Sequence, residues 1–283
     1  MQTNELIRDV TELLKRATDE TCSIALAGAH AKGLADDESD IDFYLVVDDA
    51  APSEALRNVI TQAADSHASV YISDNFDSAP YGGNIDFRYR GVPIEVTVHT
   101  AARLRQRVDE CLRGEFEIIP QTWTSNGYYT FIYLSELHFI QPLYDPNGLI
   151  AGYQNQLAQY PEPLRQAIIE CFMGRANTWL DNFHYDTAIT RADILFTAPI
   201  VLHTILDMVQ VVFALNRQYF TGDKKLAQAL AKLPACPAAL LDNLDFLLCV
   251  SSDVNALHRQ RELLREIYYE LMMKINNQEE ISC

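Results

Sequence analysis

Apolar residues at Leu6, Val10, Leu13, Leu14 and Ala17 recur at helical spacing, so the pattern predicts an amphipathic helix near the start of the chain. Two short apolar runs follow, at 24–27 and 41–47, and both read as strands; Asp48-Asp49-Ala50-Ala51-Pro52 ends the second. Residues 53–64 read as a helix with Ser53 as its cap. Val70-Tyr71-Ile72 is a candidate strand. Ile85-Asp86-Phe87-Arg88-Tyr89 then alternates apolar and polar, Arg90-Gly91 turns, and Val92 to Val98 runs on, which predicts a β-hairpin. Pro93 sits near the start of the second hairpin strand, where a lost N–H donor is tolerated. Ile94, Val96 and Val98 share one face of that strand, Glu95 and Thr97 the other. A carboxylate placed among these aliphatic neighbours needs a reason.

Beyond the hairpin the period changes to helical. Thr100 can cap a helix reaching Cys111, and a further helix is expected over 127–139. Pro142-Leu143-Tyr144-Asp145-Pro146-Asn147-Gly148 has a strand-like beginning and a strong turn, and the domain boundary is placed just after it. The later pattern predicts helices over 162–183, 188–219 (broken near Pro199), 237–250 and 252–274, with no strand after residue 150. The expected class is α+β: a mixed sheet flanked by helices over residues 1–150, then an all-helical domain over 151–283.

Composition narrows the partners. The chain has 283 residues, 48% of them apolar, and a formal net charge of −17. That balance disfavours nucleic acid, whose binding needs Lys and Arg on phosphates, and suits a cationic small molecule; it also serves plain solubility. Six cysteines show no C-x-x-C spacing, and no apolar signal segment opens the chain, so a reducing cytoplasm is the expected location. The longest apolar stretch, 198–215, contains His203, Asp207 and Gln210; it reads as a buried helix rather than a membrane span. From Ile200 it is apolar nearly all round, which suits a core or a homodimer interface. Asp207 on this helix either pairs with an Arg or His in the core or receives a substrate ammonium.

The chemistry is concentrated in Gly28-Ala29-His30-Ala31-Lys32-Gly33-Leu34-Ala35-Asp36-Asp37-Glu38-Ser39-Asp40-Ile41-Asp42. Asp40 and Asp42 lie two residues apart at the head of a strand, hence on one face. If the hairpin strand of Glu95 neighbours that strand, three carboxylates converge, as a hard divalent cation such as Mg²⁺ requires. Gly28 and Ala29 form a turn whose backbone N–H groups can approach phosphate, with a helix start behind it; Lys32 and Ser39 can add a charge and a hydroxyl. An isolated Asp-x-Asp is most often a solvated loop acid; here the order of strand, small turn, acids, strand and later acid carries the signal. Counting from Asp36, an EF-hand would need Gly at Ile41 and Glu at Val47, so that reading fails. The P-loop, H-E-x-x-H and G-x-S-x-G patterns are absent. Trp123, Tyr128 and Tyr129 suit either a substrate pocket or the core, and His30 either a phosphate contact or the surface.

At Gly28-Ala29, Ser39-Asp40-Ile41-Asp42 and Glu95 the chain resembles the nucleotidyltransferase superfamily of the DNA polymerase β type. It departs from the family at Ala29, where Ser is usual, so a hydroxyl is lost while the backbone amides remain. The head-and-helical-tail layout, Leu143 to Gly148, and Leu215-Asn216-Arg217-Gln218-Tyr219-Phe220-Thr221-Gly222-Asp223-Lys224-Lys225-Leu226 look similar to antibiotic nucleotidyltransferases acting on aminoglycosides or lincosamides. The resemblance implies transfer of a nucleoside monophosphate from ATP to a substrate hydroxyl, releasing pyrophosphate. Asp40 and Asp42 would hold Mg²⁺, Glu95 would be ligand, general base or both, and Lys224 or Lys225 would reach the triphosphate. Two alternatives accompany it: modification of a protein or RNA, as in toxin–antitoxin relatives, and a nucleotide-binding module without catalysis.

Overall fold

The computed structural model describes residues 3–282 apart from Leu34, Asp37 and Glu38, so of the Asp36-Asp37-Glu38 run only Asp36 is described. The chain divides into two compact units. The first comprises Met1–Cys111, Phe116–Ile119 and Tyr128–Gln159; the second comprises Leu112–Glu115, Pro120–Gly127 and Tyr160–Cys283.

The first unit runs α1 (Thr3–Ala17), β1 (Ser23–Leu26), α2 (Gly28–Ala31), β2 (Ile41–Val47), α3 (Glu54–Ala63), β3 (Tyr71–Ile72), β4 (Gly83–Tyr89), β5 (Val92–Thr100), α4 (Ala101–Leu112), β6 (Ile118–Ile119), β7 (Tyr128–Tyr129), α5 (Ile132–Phe139), β8 (Gln141–Tyr144) and α6 (Leu149–Gln156). Six strands form one mixed sheet in the order β3-β4-β5-β2-β1-β8. Within it β2 and β5 are parallel and every other neighbouring pair is antiparallel. The period-2 pattern splits this sheet into two chemically different faces. Ile41, Phe43 and Leu45 of β2 stand opposite Ile94, Val96 and Val98 of β5. Together with Ile85 and Phe87 they are buried in a core that also holds Leu6, Val10, Leu13 and Leu14 of α1 and Leu56 and Ile60 of α3. Burying each such side chain contributes about 1.5–3 kcal/mol, so this face fixes the register that the other face uses.

Local signals set the ends. Ser53 accepts the Leu56 N–H at 3.1 Å, and Thr100 accepts the Arg103 N–H at 3.1 Å, as expected of the two caps. At the hairpin tip Arg90 and Gly91 have φ of 52° and 82°, the hand of a two-residue turn that matches strand twist. Asp65 accepts both their N–H groups, at 2.8 and 2.6 Å. The helix expected over 127–139 is a correction. Its first residues form β7, paired with β6, and the helix begins only at Ile132. Gly127 at φ 94° and the adjacent tyrosines favour the extended turn over a helical one.

The second unit is all helical among the described residues: α7 (Glu162–Leu180), α8 (Phe183–Thr190), α9 (Ile194–Leu215), α10 (Leu226–Leu230), α11 (Ala238–Asp242), α12 (Leu244–Leu247) and α13 (Val254–Ser282). α9 packs against α7 and α13. By length and composition α9 could cross a membrane, yet most of it is buried. Three expected helices are redrawn. The helix over 162–183 ends at Leu180, and Asn182 caps α8 by accepting the His184 N–H at 2.8 Å. The helix over 188–219 starts late, at Ile194 with Asp193 as its cap, because Ala192 at φ 52° breaks the chain there, and it ends at Leu215; Pro199 then lies inside α9 without interrupting it. The helix over 237–250 is two short pieces separated at Asn243, whose φ is −116°.

Asp207 takes the core option. Its Oδ1 accepts from Arg175 Nε at 3.0 Å and from Asn126 Nδ2 at 2.8 Å. Burial raises its pKa, while the Asn126 hydrogen bond and the Arg175 guanidinium pull it down.

Candidate metal centre

The parallel register of β2 and β5 puts Asp42 directly beside Glu95. Paired residues point to the same face, opposite the aliphatic core. Asp40 lies two residues before Asp42, just ahead of the strand, and joins them: one carboxylate oxygen from each of the three lies within 4.8 Å of the others. Asp40 and Asp42 are half-buried and Glu95 is exposed. Three like charges at this range oppose folding, so a sheet that fixes them together has built something that a cation relieves. The donors are all carboxylate oxygens, without imidazole or thiolate, which fits Mg²⁺ or Mn²⁺ and does not fit a structural zinc.

The small turn is fitted to these acids. The Ala27 N–H donates to the Asp42 carbonyl at 2.8 Å, tying the end of β1 to the head of β2. Gly28 follows at φ +57°, and a Cβ there would come 1.6 Å from Asp42 Oδ2. Only glycine satisfies both the backbone angle and the close approach. α2, which carries Ala29 and His30, is a single turn of four residues, so the anion-favouring helix end expected from the sequence reduces to the N–H groups of the turn. The Ser39 hydroxyl is engaged locally: it accepts the Asp36 N–H and donates to Asp36 Oδ1, both at 2.9 Å.

Lys32, at the end of α2, is held by its surroundings. Its Nζ lies 5.4 Å from the centre of the Phe139 ring. Burial lowers its pKa, while the Glu136 and Asp42 carboxylates raise it. Glu136, on α5, was not singled out by sequence, although a lone acid in the apolar run Ile132-Tyr133-Leu134-Ser135-Glu136-Leu137 is the kind of signal that marks such a residue. Burial pushes its carboxyl up to about 7, against the opposing pull of Lys32. Its Oε2 lies 3.8 Å from His99 Nε2. His99, buried between the rings of Tyr44 and Tyr133 at centroid distances of 4.7 and 4.8 Å, is driven down to about 3, mainly by burial, and stays neutral. Asp86 is a second residue that sequence reasoning passed over. It pairs with Glu95 across β4 and β5, extending the acidic row on the same face, and burial raises its pKa.

Lys224 and Lys225 belong to the helical unit and are exposed, with Lys225 at φ +59° just ahead of α10. Tyr128 and Tyr129 are buried, whereas Trp123 is 58% exposed.

Residues 133–225 match a family model described as a domain of unknown function (DUF4037). No curated protein matches the sequence. Among solved structures, the chain is similar to a nucleotidyltransferase-like protein from Exiguobacterium sibiricum. The likeness covers 96% of this chain and 77% of that one, at 8% identity and a TM-score of 0.46.

Proposed function

We propose that this protein transfers a nucleoside monophosphate, AMP from ATP, to a hydroxyl of a small amine-bearing acceptor of the aminoglycoside or lincosamide kind, releasing pyrophosphate. The observation that carries the reading is the convergence within 4.8 Å of Asp42 and Glu95, on adjacent parallel strands, and Asp40, just ahead of the first, beside a turn in which Gly28 leaves room for nothing but backbone. Asp40, Asp42 and Glu95 hold the cation in this reading. A bound Mg²⁺ supplies Lewis-acid neutralisation of charge building on the α-phosphate.

The acceptor hydroxyl forms a new bond to the α-phosphorus, and the bond from that phosphorus to the pyrophosphate oxygen breaks. Glu95, the exposed member of the set, takes the hydroxyl proton. Lys32, drawn to both Asp42 and Glu136, offers positive charge to the leaving phosphates, and Lys224 or Lys225 adds to it. The net charge of −17 supports a cationic acceptor and disfavours RNA.

Incubation with α-labelled ATP, Mg²⁺ and a panel of aminoglycosides and lincosamides tests the reading. Label is expected on at least one panel member, and none with Asp42→Asn. Label on no small molecule but on a protein would replace the acceptor class. ATP binding without any transfer would replace catalysis with a nucleotide-binding role.

A further inference from the structure

The helical unit contains a cavity of about 550 Å³. The first half of α9 forms one wall; residues 247–251 and the start of α13 form the other. Gln260 shapes the second wall, since its Nε2 lies 2.9, 3.1 and 2.8 Å from the carbonyls of Phe246, Leu247 and Cys249. No Asp, Glu, Lys or Arg lines the cavity among the described residues. At its edge the apolar side chains of Leu195 and Leu248 are 86% and 46% exposed.

Two polar groups on the α9 wall lack the partners they would ordinarily have. Thr197, only 1% exposed, has a hydroxyl with no hydrogen-bond partner. Pro199 has no N–H, so the Leu195 carbonyl lacks its helical donor. Both residues line the cavity.

We propose that this cavity binds an uncharged, mainly apolar small molecule carrying one hydroxyl. Its volume lies within the range of small-molecule sites. A charged ligand would lose its hydration and, apart from His203 on the α9 wall, meet no side chain of acidic or basic type there. A hydroxyl is the simplest uncharged group that accepts from Thr197. The site stands apart from the nucleotidyl-transfer reading, because it draws on none of the three carboxylates.

The test is titration of the full chain with N-phenyl-1-naphthylamine, an uncharged fluorophore that brightens in apolar surroundings, followed by displacement. A saturable signal of one site per chain is expected. 1-Decanol should displace it at about tenfold lower concentration than decanoate or decylammonium, which carry a charge into the cavity. Ala198→Trp fills the cavity from a half-buried position and should abolish the signal. Thr197→Val should keep the probe signal and weaken decanol about fivefold. In the wild type, decanol should also slow alkylation of Cys249, at the cavity wall, by N-ethylmaleimide, a readout that does not depend on any variant folding. Asp40→Asn combined with Asp42→Asn should leave the titration unchanged. The proposal is overturned by the absence of a saturable signal, by a signal that survives Ala198→Trp, by equal displacement by charged and uncharged chains, or by unchanged alkylation. Co-sedimentation with phosphatidylcholine vesicles without saturable probe binding would overturn it in favour of a membrane-facing patch.

Discussion

In the helical unit the buried carboxylate of Asp207 meets a guanidinium and an amide; in the sheet unit three carboxylates meet one another. Asp207 has partners, Arg175 and Asn126, that offset part of the burial that raises its pKa, and they tie α9 to its neighbours. Asp40, Asp42 and Glu95 stand within 4.8 Å of one another at the head of β2 and on β5, where like charges repel. The difference separates an acid given a guanidinium and an amide from acids gathered beside one another, and such clusters of titratable groups are characteristic of functional sites.

The largest effect expected from that contrast is at the acidic cluster. Asp42→Asn should lower label transfer about 10³-fold, the scale of losing several kcal/mol of metal-supplied stabilisation. It should leave the thermal midpoint nearly unchanged, because relief of like-charge repulsion offsets the lost attraction to Lys32. A lowered midpoint with retained transfer would make Asp42 structural and erase the distinction from Asp207. Next in size is Arg175→Ala, which leaves Asp207 without its guanidinium and should cost about 2–3 kcal/mol, allowing for the partial exposure of the arginine. Unfolding in urea would read it, and transfer by the folded fraction should persist.

The two regions were not equally legible in the sequence. β4 and β5 alternate apolar and polar residues, β2 is a short apolar run, and the hairpin brings its own turn residues, so the neighbourhood of Glu95 could be read directly. Its pairing with Asp42 depends on a parallel register that no local pattern states, and only the fold supplies it. The two-residue strands β6 and β7 are too short for any period to show. In the helical unit nearly continuous apolar sequence hid the real breaks, which sit at Ala192 in a left-handed conformation and at Asn243. Pro199 looked like a break and is not one: it removes the donor to the Leu195 carbonyl without interrupting α9. Glu136 escaped because its role depends on Lys32 and His99, which are distant in sequence.

Glu136 supplies the smallest and most discriminating test. Its carboxyl titrates near 7 in the folded chain against an ordinary value of 4.5, so the folded state holds its proton more tightly than the unfolded state. Stability from this group is therefore complete below pH 4.5 and is withdrawn as pH rises towards 7. Glu136→Gln should raise stability at pH 8 by about 1–2 kcal/mol, discounted for partial exposure, and give no gain at pH 4.5. If Glu136 also steadies Lys32 at the site, the same variant should raise the KM for ATP. Thermal melts at the two pH values, with initial rates on the same preparation, separate a stability role from a positioning role.

The central claim is that Asp40, Asp42 and Glu95 form one divalent-cation site, and Mn²⁺ uptake, followed by loss of the free-ion electron paramagnetic resonance signal, tests it most directly. The wild-type chain should bind Mn²⁺ in competition with Mg²⁺, and Asp40→Asn combined with Asp42→Asn should bind it at least about tenfold more weakly while remaining folded. Equal uptake by the two proteins would contradict the account.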